Sequence, residues 1–287
     1  MDLTKKLARL KKIIKDMGSL LVAFSGGVDS TFLLKVASTV LEPDKLLAVT
    51  ANSVTYPKEE LLFSKMMAQR LGVRHKIIKT DELKDKRFTV NPINRCYFCK
   101  SELFQKLKDW AIKFKLNFVA DASNVSDRSD FRPGNLAKKE LNVRSPLQEA
   151  GLNKDEIRNL SRKLGLITWD KPSLACLASR IPYGRNISPL VLQQVNRGEI
   201  YLRSIGLKQV RLRHYNGLCR IEVFCADIPK LMRKRKLILE RLKKLGYNYV
   251  TVDLAGYRTG SMNPRTNCKL AKDKYAIGAG VNEMRRK

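Results

Sequence analysis

The sequence predicts an α/β protein in which a parallel β-sheet, covered by helices, is followed by a smaller α+β unit. Apolar runs typical of strands alternate with helical patterns: the runs lie at 20–25, 46–51, 73–79 and 116–121, and the helical patterns at 30–41, 57–71 and 100–114. Such alternation is typical of βαβ units. After Ser188-Pro189 the pattern changes to helix, strand, strand, helix and strand. We therefore expect two domains, at 1–185 and 186–287.

Capping and breaking residues predict further elements. Residues 152–164 fit a helix capped by Asn153, and 166–185 fit a loop rich in Pro, Gly and Ser. In the second unit, one helix is expected from Pro229 to Leu245. Residues 1–17 place apolar side chains at helical spacing among lysines and arginines, so we expect an amphipathic helix that covers the next domain.

The composition is that of a globular protein, with 44% hydrophobic residues in a chain of 287. No apolar run is long enough to span a membrane, and the N-terminus lacks the continuous apolar segment of a signal peptide. We therefore expect a cytoplasmic protein that does not contact membranes. Lys and Arg total 57 against 27 acidic residues, a net charge of +30. This charge attracts any polyanion, and it leaves RNA and a phosphorylated small molecule equally open as partners.

A glycine-rich turn with the sequence SGGVDS, at 25–30, joins the first predicted strand to the helix that follows. Its glycines let the backbone turn tightly, and the helix N-terminus presents unpaired N–H groups to an anion. Ser25 and Ser30 add hydroxyl donors. Asp29 stands where a Walker loop would have its lysine, so this is a different phosphate loop. Ligands of a parallel sheet bind beyond the carboxyl ends of the strands, where Ser53 follows the second strand.

Six cysteines in a chain expected to be cytosolic point to metal binding or catalysis rather than to disulfides. Cys96 and Cys99 form a CxxC pair, which alone could be a redox pair, half of a zinc site or a coincidence. Cys176 lies in a loop that the predicted sheet places near the same cleft. Three thiolates with no obvious fourth ligand suit an iron–sulfur cluster that keeps one iron open.

The other cysteines and both histidines are expected to be structural. Cys219 and Cys225 fall in a strand-like stretch and are expected to be small buried hydrophobic residues. Cys268 shows no ligand spacing, and neither His75 nor His214 lies at ligand spacing to the CxxC pair.

Several longer segments carry a resemblance to known families. They are SGGVDS at 25–30, NRCYFCKSELF at 94–104, DASNVSDRSDFRPG at 121–134, RSPLQEAGLNKDEIR at 144–158, WDKPSLACLASRIPYG at 169–184, VRLRHYN at 210–216 and DLAGYRTGSMN at 253–263. SGGVDS resembles the PP-loop of the ATP pyrophosphatases (adenine nucleotide alpha hydrolase-like proteins), which split ATP between the α and β phosphates. Nearly the whole chain resembles the LarE family, ATP-dependent sulfur transferases that make the thiocarboxylates of the nickel-pincer nucleotide, the cofactor of lactate racemase.

The resemblance implies a two-step reaction on pyridinium-3,5-dicarboxylate mononucleotide. A carboxylate attacks the α phosphate of ATP to give an acyl-adenylate and pyrophosphate; sulfur then attacks the activated carbonyl, and AMP departs. The implied ATP-binding residues are Ser25, Gly26, Gly27, Asp29, Ser30 and Ser53. Asp29 is also expected to act in catalysis by positioning Mg²⁺ on the phosphates.

The resemblance also bears on the source of sulfur. In family members of the single-cysteine type, the residue matching Cys176 gives up its own sulfur. In the three-cysteine type, the residues matching Cys96, Cys99 and Cys176 bind a 4Fe-4S cluster whose open iron can carry an extra sulfide. This chain has all three cysteines. We therefore expect the cluster type, with Cys176 catalytic and with sulfide or a sulfur-donor protein as a partner.

The second domain is expected to hold the nucleotide substrate. Arg211 and Arg213 alternate along a predicted strand, which points both to one face, and Arg258 follows in a family-like segment. Guanidinium groups suit a phosphate and carboxylates. Glu199 and Asp227 resemble acidic residues that contact cations in the family. The resemblance also suggests a homo-oligomer.

The alternative is an iron–sulfur-dependent tRNA thiolase of the PP-loop superfamily, because related enzymes also pair three cysteines with a cluster and the net charge of +30 invites RNA. Against it, the sequence shows no evident zinc ribbon or added RNA-binding module. The loops at 121–134 and 171–184 resemble the LarE family instead. A small-molecule nucleotide is therefore the expected substrate, and nucleic acid is the less favoured partner.

Overall fold

Parallel strands and flanking helices build the N-terminal part of the computed structural model, which describes residues 2–129, 133–172 and 175–263. The strands are β1 (Leu20–Ala23), β2 (Leu46–Asn52), β3 (His75–Lys79), β4 (Phe118–Ala120), β5 (Val210–Tyr215), β6 (Leu218–Val223) and β7 (Tyr249–Val252). The helices are α1 (Leu3–Met17), α2 (Val28–Ser38), α3 (Lys58–Arg70), α4 (Lys86–Thr89), α5 (Arg95–Lys113), α6 (Gly134–Glu140), α7 (Pro146–Glu149), α8 (Lys154–Lys163), α9 (Pro189–Ser204), α10 (Ile228–Arg233) and α11 (Arg235–Lys244).

The first sheet has the strand order β3-β2-β1-β4, and its pairs are parallel, as the sequence predicts. Leu20 and Val22 pack into one hydrophobic cluster, whereas Leu21 between them packs into another. This alternation buries both faces of the sheet under helices. The strand order reverses at β1, so the turn that follows β1 lies at the position where such sheets bind ligands.

Helix α1 covers one face of this sheet. Its residues Leu10, Ile14 and Met17 are buried in the same cluster as Leu20 and Val22. The expected amphipathic helix over the first domain is therefore confirmed. Within the part of the chain that the structure describes, no helix combines the length and the apolar character needed to cross a membrane.

The second sheet is mixed, with the order β5-β6-β7, an antiparallel pair and a parallel pair. One expectation here is wrong: the helix predicted from Pro229 to Leu245 is two helices, α10 and α11, which meet at Lys234. The break falls at Lys234, inside the cation run 233–236.

A buried cluster spans the boundary that the sequence places between 185 and 186. It joins Phe88, Leu177 and Ile181 to Leu192 and Val195 of helix α9. Residues on both sides of this boundary therefore share a buried cluster, and the division into domains 1–185 and 186–287 stays a prediction.

Helix α8 begins with the capping expected from the sequence. The Asn153 side chain accepts a hydrogen bond from the Glu156 backbone N–H at 2.9 Å, and the Glu156 carboxylate accepts one from the Asn153 backbone N–H at 2.9 Å. Lys6 of helix α1 donates to Glu156 at 2.6 Å. This capping box fixes the start of α8 and joins it to α1.

We predict that Asn153→Ala lowers the free energy of unfolding by about 1 kcal/mol, because it leaves an N-terminal amide of α8 without its acceptor. Urea denaturation measures the change. The control is Asn159→Ala, which makes the same substitution at an exposed position inside the same helix. Equal losses in the two variants would contradict a capping role.

Candidate active site

The predicted phosphate loop runs from the end of β1 into α2. Gly26 has a φ of +64°, and a Cβ added there would lie 3.1 Å from the Cα of Ser64. Only glycine fits this position without strain or displacement of α3. Gly27 precedes the first residue of α2, and the hydroxyls of Ser25 and Ser30 lie 3.1 Å apart. The loop thus presents backbone N–H groups and hydroxyls at a helix N-terminus, which is an anion site.

Asp29 lies in the first turn of α2 and is largely buried. Burial raises the pKa of its carboxyl group, while the charge of Lys154 and a hydrogen bond from Asn124 oppose that shift. Its Oδ1 atom is buried and has no hydrogen-bond partner among the described residues. A buried carboxylate oxygen without a donor is a suitable ligand for a hard cation.

A cavity of about 140 Å³ opens beside the loop. Its lining includes Ser25, Gly27 and Asp29 together with Tyr56, Glu60, Lys154, Arg158 and Lys171. The cations of α8 and of the segment before Cys176 were not among the expected site residues. Two of the family-like segments, at 144–158 and 169–184, contain them, and their resemblance was the signal that could have found them.

Ser53 lies just beyond the carboxyl end of β2, as expected. Its hydroxyl donates to the buried carboxylate of Glu82 and contacts the Thr55 hydroxyl at 2.7 Å. Thr55 also donates to Glu82 at 3.0 Å. Glu82 thus holds the loop after β2 in place, and a contact between Ser53 and ATP stays a prediction.

The three cysteines of the predicted cluster site come from two segments that pack together. Cys96 and Cys99 lie in the first two turns of α5, and Cys176 directly precedes a 3₁₀ turn, Leu177–Arg180. Cys99 packs against the buried cluster that contains Leu177. Burial raises the pKa of Cys99, and the charges of Cys176 and Cys96 add to this effect, which reflects their proximity.

Hydrogen bonds join these two segments to each other and to the phosphate loop. The Asn91 side chain, before α5, donates to the carbonyl of Pro182 at 2.8 Å. The Leu177 N–H donates to the carbonyl of Thr55 at 2.9 Å. Tyr56, next to Thr55, donates its hydroxyl to the carbonyl of Ser25. Cys176 and the phosphate loop are therefore linked through the residues that follow β2.

Among the described residues, no three His, Cys, Asp or Glu side chains are close enough to hold a single metal ion.

Arg180 is a buried residue of the site that the sequence analysis missed. Its guanidinium pairs with both carboxylate oxygens of Glu199 on α9, at 2.8 and 3.0 Å, and both side chains are 1% exposed. The same guanidinium donates to the carbonyls of Ala175, at 2.8 Å, and Cys176, at 3.1 Å. Arg180 therefore fixes the backbone at Cys176 against the second unit.

The carboxylate of Glu199 has further donors. Besides Arg180, it accepts hydrogen bonds from Arg203 at 3.1 Å and from the Leu212 backbone N–H at 3.0 Å. Both oxygens are thus engaged by donors, and the expected contact of Glu199 with a cation stays a prediction. Asp227 lies half-buried in a 3₁₀ turn, Cys225–Asp227, and its contact with a cation stays a prediction.

Arg211 and Arg213 of β5 are both buried and lie near the segment of Cys176. Arg213 donates to the carbonyl of Ser179 at 3.1 Å and to Glu222 at 2.6 Å. Burial, with the charge of Arg180 as the next cause, lowers the pKa of Arg211 to about 10, so it remains protonated at neutral pH. The structure thus brings both arginines to the site.

Arg258 is exposed, and its guanidinium lies 4.0 Å from Asp253. Its neighbour Tyr257 stacks near Arg211, whose guanidinium carbon is 5.2 Å from the ring centroid. Arg258 is therefore the sequence neighbour of a tyrosine whose ring contacts Arg211. Its role in binding substrate stays a prediction.

The structure separates the remaining cysteines. Cys219 is buried, as expected, but Cys225 is exposed, so its prediction is wrong. Cys225 lies beyond the end of β6, in a 3₁₀ turn outside the core. His75 contacts the Thr50 hydroxyl at 2.8 Å and His214 contacts Tyr247 at 3.3 Å, which fits structural roles. Cys268 lies outside the described residues.

Comparison with known proteins agrees with this geometry. The family model for NAD synthase matches residues 3–91, which contain the phosphate loop. The pyridinium-3,5-bisthiocarboxylic acid mononucleotide synthase of Lactiplantibacillus plantarum is 38% identical over 94% of this chain and 98% of its own length. An uncharacterised protein of Synechocystis is 43% identical over 91% of this chain and 98% of its own length.

The parallel sheet and its phosphate loop define a PP-loop, ATP-using enzyme fold. Within that class, the chain belongs to the LarE family, because its similarity to the Lactiplantibacillus synthase extends over nearly the full length of both proteins.

We predict that Gly26→Ala weakens ATP binding by roughly tenfold or more, because the added Cβ would push α3 away from the loop and displace the loop amides. Isothermal titration calorimetry with ATP measures the change. Gly72→Ala is the matched control: Gly72 has a φ of +66°, but a Cβ there would meet no atom within 4 Å. Equal weakening in both variants would show that backbone strain, and not the contact with Ser64, is responsible.

Proposed function

We propose that this protein converts a carboxylate of pyridinium-3,5-dicarboxylate mononucleotide to a thiocarboxylate, with ATP as the activating substrate. The observation that supports the proposal is a pair of hydrogen bonds made by the loop between β2 and α3: Thr55 accepts from Leu177, next to Cys176, and Tyr56 donates to Ser25 of the phosphate loop. An acid activated by ATP at one wall can then meet sulfur from the other wall of the same site.

In the first step, a carboxylate oxygen of the substrate attacks the α phosphorus of ATP. The bond between this phosphorus and the oxygen bridging to the β phosphorus breaks, and its electron pair leaves with pyrophosphate. The loop amides and the hydroxyls of Ser25 and Ser30 hold the phosphates as negative charge moves onto the leaving group. The Oδ1 atom of Asp29 accepts no hydrogen bond from the described part of the chain and fits Mg²⁺, which supplies charge neutralisation on the phosphates when it is bound.

In the second step, sulfur attacks the carbonyl carbon of the acyl-adenylate, and the bond to the AMP oxygen breaks. A carboxylate accepts a nucleophile at this carbon only after its oxygen has become a good leaving group, which explains the need for ATP. We propose that Cys176 takes part in delivering this sulfur, because its side chain is exposed and its backbone is fixed by Arg180.

The donor set suits a 4Fe-4S cluster on Cys96, Cys99 and Cys176. Cys96 lies in the first turn of the long helix α5, whose dipole favours a thiolate there, whereas burial raises the pKa of Cys99. A cluster spaces its thiolate ligands more widely than one metal ion does, so the lack of a three-residue single-ion site in the described part of the chain is compatible with it. When bound, the cluster supplies an open iron that can carry sulfide from a small-molecule or protein donor.

The arginine site suits an anionic mononucleotide. Arg180, Arg211 and Arg213 are at most 5% exposed, and so are Glu199 and Glu222. Forked guanidinium groups bind the oxygens of a phosphate or carboxylate in pairs, so this set of arginines suits such a group of the substrate.

We assign ATP binding to the domain at 1–185 and binding of the nucleotide substrate to the domain at 186–287, with Arg258 as a further substrate contact. We also propose a homo-oligomeric, cytoplasmic enzyme. The tRNA thiolase remains the alternative, favoured by 57 Lys and Arg against 27 acidic residues.

We predict that cluster-loaded protein, incubated with ATP, Mg²⁺, sulfide and the dicarboxylate mononucleotide, forms a product in which oxygen has been exchanged for sulfur. Mass spectrometry detects the exchange, and a reaction without ATP is the control. A parallel incubation with tRNA tests the alternative. Thiolation of tRNA without conversion of the mononucleotide would overturn the proposal.

We predict that anaerobic reconstitution loads about four iron atoms per chain. Cys96→Ser, Cys99→Ser and Cys176→Ser should each lose iron and its visible absorption. Cys225→Ser is the matched control, because it removes an exposed thiol outside the cluster site. Absence of iron, together with loss of hydrogen sulfide from Cys176 on turnover, would show that this cysteine is sacrificed instead.

A further inference from the structure

The cavity beside the phosphate loop is lined by three cations. Lys154 and Arg158 of α8 and Lys171 of the segment before Cys176 line it together with Ser25 and Gly27. None of these cations belongs to the SGGVDS motif. Because they come from two separate segments, their convergence is a property of the fold rather than of one basic stretch of sequence.

Lys171 makes the closest contact with the phosphate loop. Its ammonium donates to the carbonyl of Gly26 at 3.2 Å and to the carboxylate of Glu60 at 2.7 Å, and it lies 3.5 Å from the centroid of the Phe63 ring. The side chains of Lys171 and Glu60 are each 14% exposed. A lysine is therefore held, largely out of water, against the backbone that is expected to receive phosphate.

Arg158 holds the backbone of this lysine. Its guanidinium donates to the carbonyl of Trp169 at 2.7 Å and to the carbonyl of Lys171 at 2.9 Å. Lys154 lies one turn earlier on α8, so both cations share one face of the helix. The capping box at Asn153 fixes the start of α8 and thereby the position of Lys154.

Electrostatics indicates what this cavity would bind. Lys154 and Arg158 are close enough to Asp29 to lower its pKa against the effect of burial, so their charges act inside the cavity. Lys171 is balanced by Glu60, a single carboxylate. A pyrophosphate group carries more negative charge and more acceptor oxygens than one carboxylate. It can therefore replace Glu60 as the partner of the Lys171 ammonium.

We propose that Lys171 and Lys154 bind the β and γ phosphates of ATP and then the pyrophosphate that leaves, and that Arg158 positions Lys171. The proposal rests on the proposed function, in which ATP is cleaved between the α and β phosphates. Negative charge then develops on the oxygen that bridged them, and a nearby fixed cation stabilises it. AMP has neither of the phosphates that these lysines would contact.

The test compares ATP, pyrophosphate and AMP by isothermal titration calorimetry on full-length protein. Lys171→Met should weaken ATP and pyrophosphate by roughly tenfold or more and AMP by less than about twofold. The control is Lys163→Met, which removes the same charge from an exposed position at the other end of α8 and should change none of the three affinities.

Retained AMP binding shows that the variant is folded. If Lys171→Met does not fold, Lys154→Met decides the question by the same comparison of ATP with AMP. Equal weakening of ATP and AMP, or an unchanged affinity for ATP, overturns the assignment. These measurements stand apart from thiocarboxylate formation, so a failure of the proposed reaction would be seen separately, in the wild-type assay.

Discussion

The buried ion pair between Arg180 and Glu199 is the interaction on which the site depends. One guanidinium satisfies both oxygens of a carboxylate on α9 and also binds the carbonyls of Ala175 and Cys176. Removing Glu199 would leave the buried guanidinium of Arg180 without its carboxylate partner, a loss that costs about 3–5 kcal/mol for a buried pair. Arg180 thus fixes the backbone at Cys176 and joins it to the unit that carries Arg211.

The parallel sheet supplies the other half of the arrangement. Since parallel strands end at the same edge, the loops after β1 and β2 must lie side by side. Tyr56 and Thr55 then contact the phosphate loop on one side and the segment of Cys176 on the other. The geometry of the site therefore follows from strand order and two short loops, with the Arg180 pair fixing its outer side.

The sequence predicted the features that depend on local pattern. The βαβ alternation, the capping by Asn153 and the glycines of the phosphate loop were read correctly because each is set by residues close together in the chain. Strand ends were less well placed: the run at 116–121 contains only the short strand Phe118–Ala120. The ends of such runs depend on pairing partners that a local pattern does not contain.

Long-range contacts explain what the sequence did not predict. Arg180 lies in a loop rich in small residues, and nothing local marks it as buried, since its partner Glu199 is on α9 and is brought there by tertiary packing. Cys225, like Cys219, has apolar neighbours in the sequence. It is nevertheless exposed, because β6 ends at Val223. Lys171 meets Glu60 across 111 residues of chain. Burial of a polar residue is in each case decided by a partner that is distant in sequence.

The two populations of positive charge in this protein differ in what they can recognise. Many lysines and arginines of the described residues are exposed, and salt screens their charges over a distance of about 10 Å at 0.1 M. Arg211 and Arg213 are buried, so their attraction for an anion is screened much less and requires a ligand that reaches them. A phosphorylated small molecule can enter such a site, whereas a polymer engages the screened outer charges first. The burial of these arginines therefore favours the mononucleotide over RNA, although the overall charge of the chain does not.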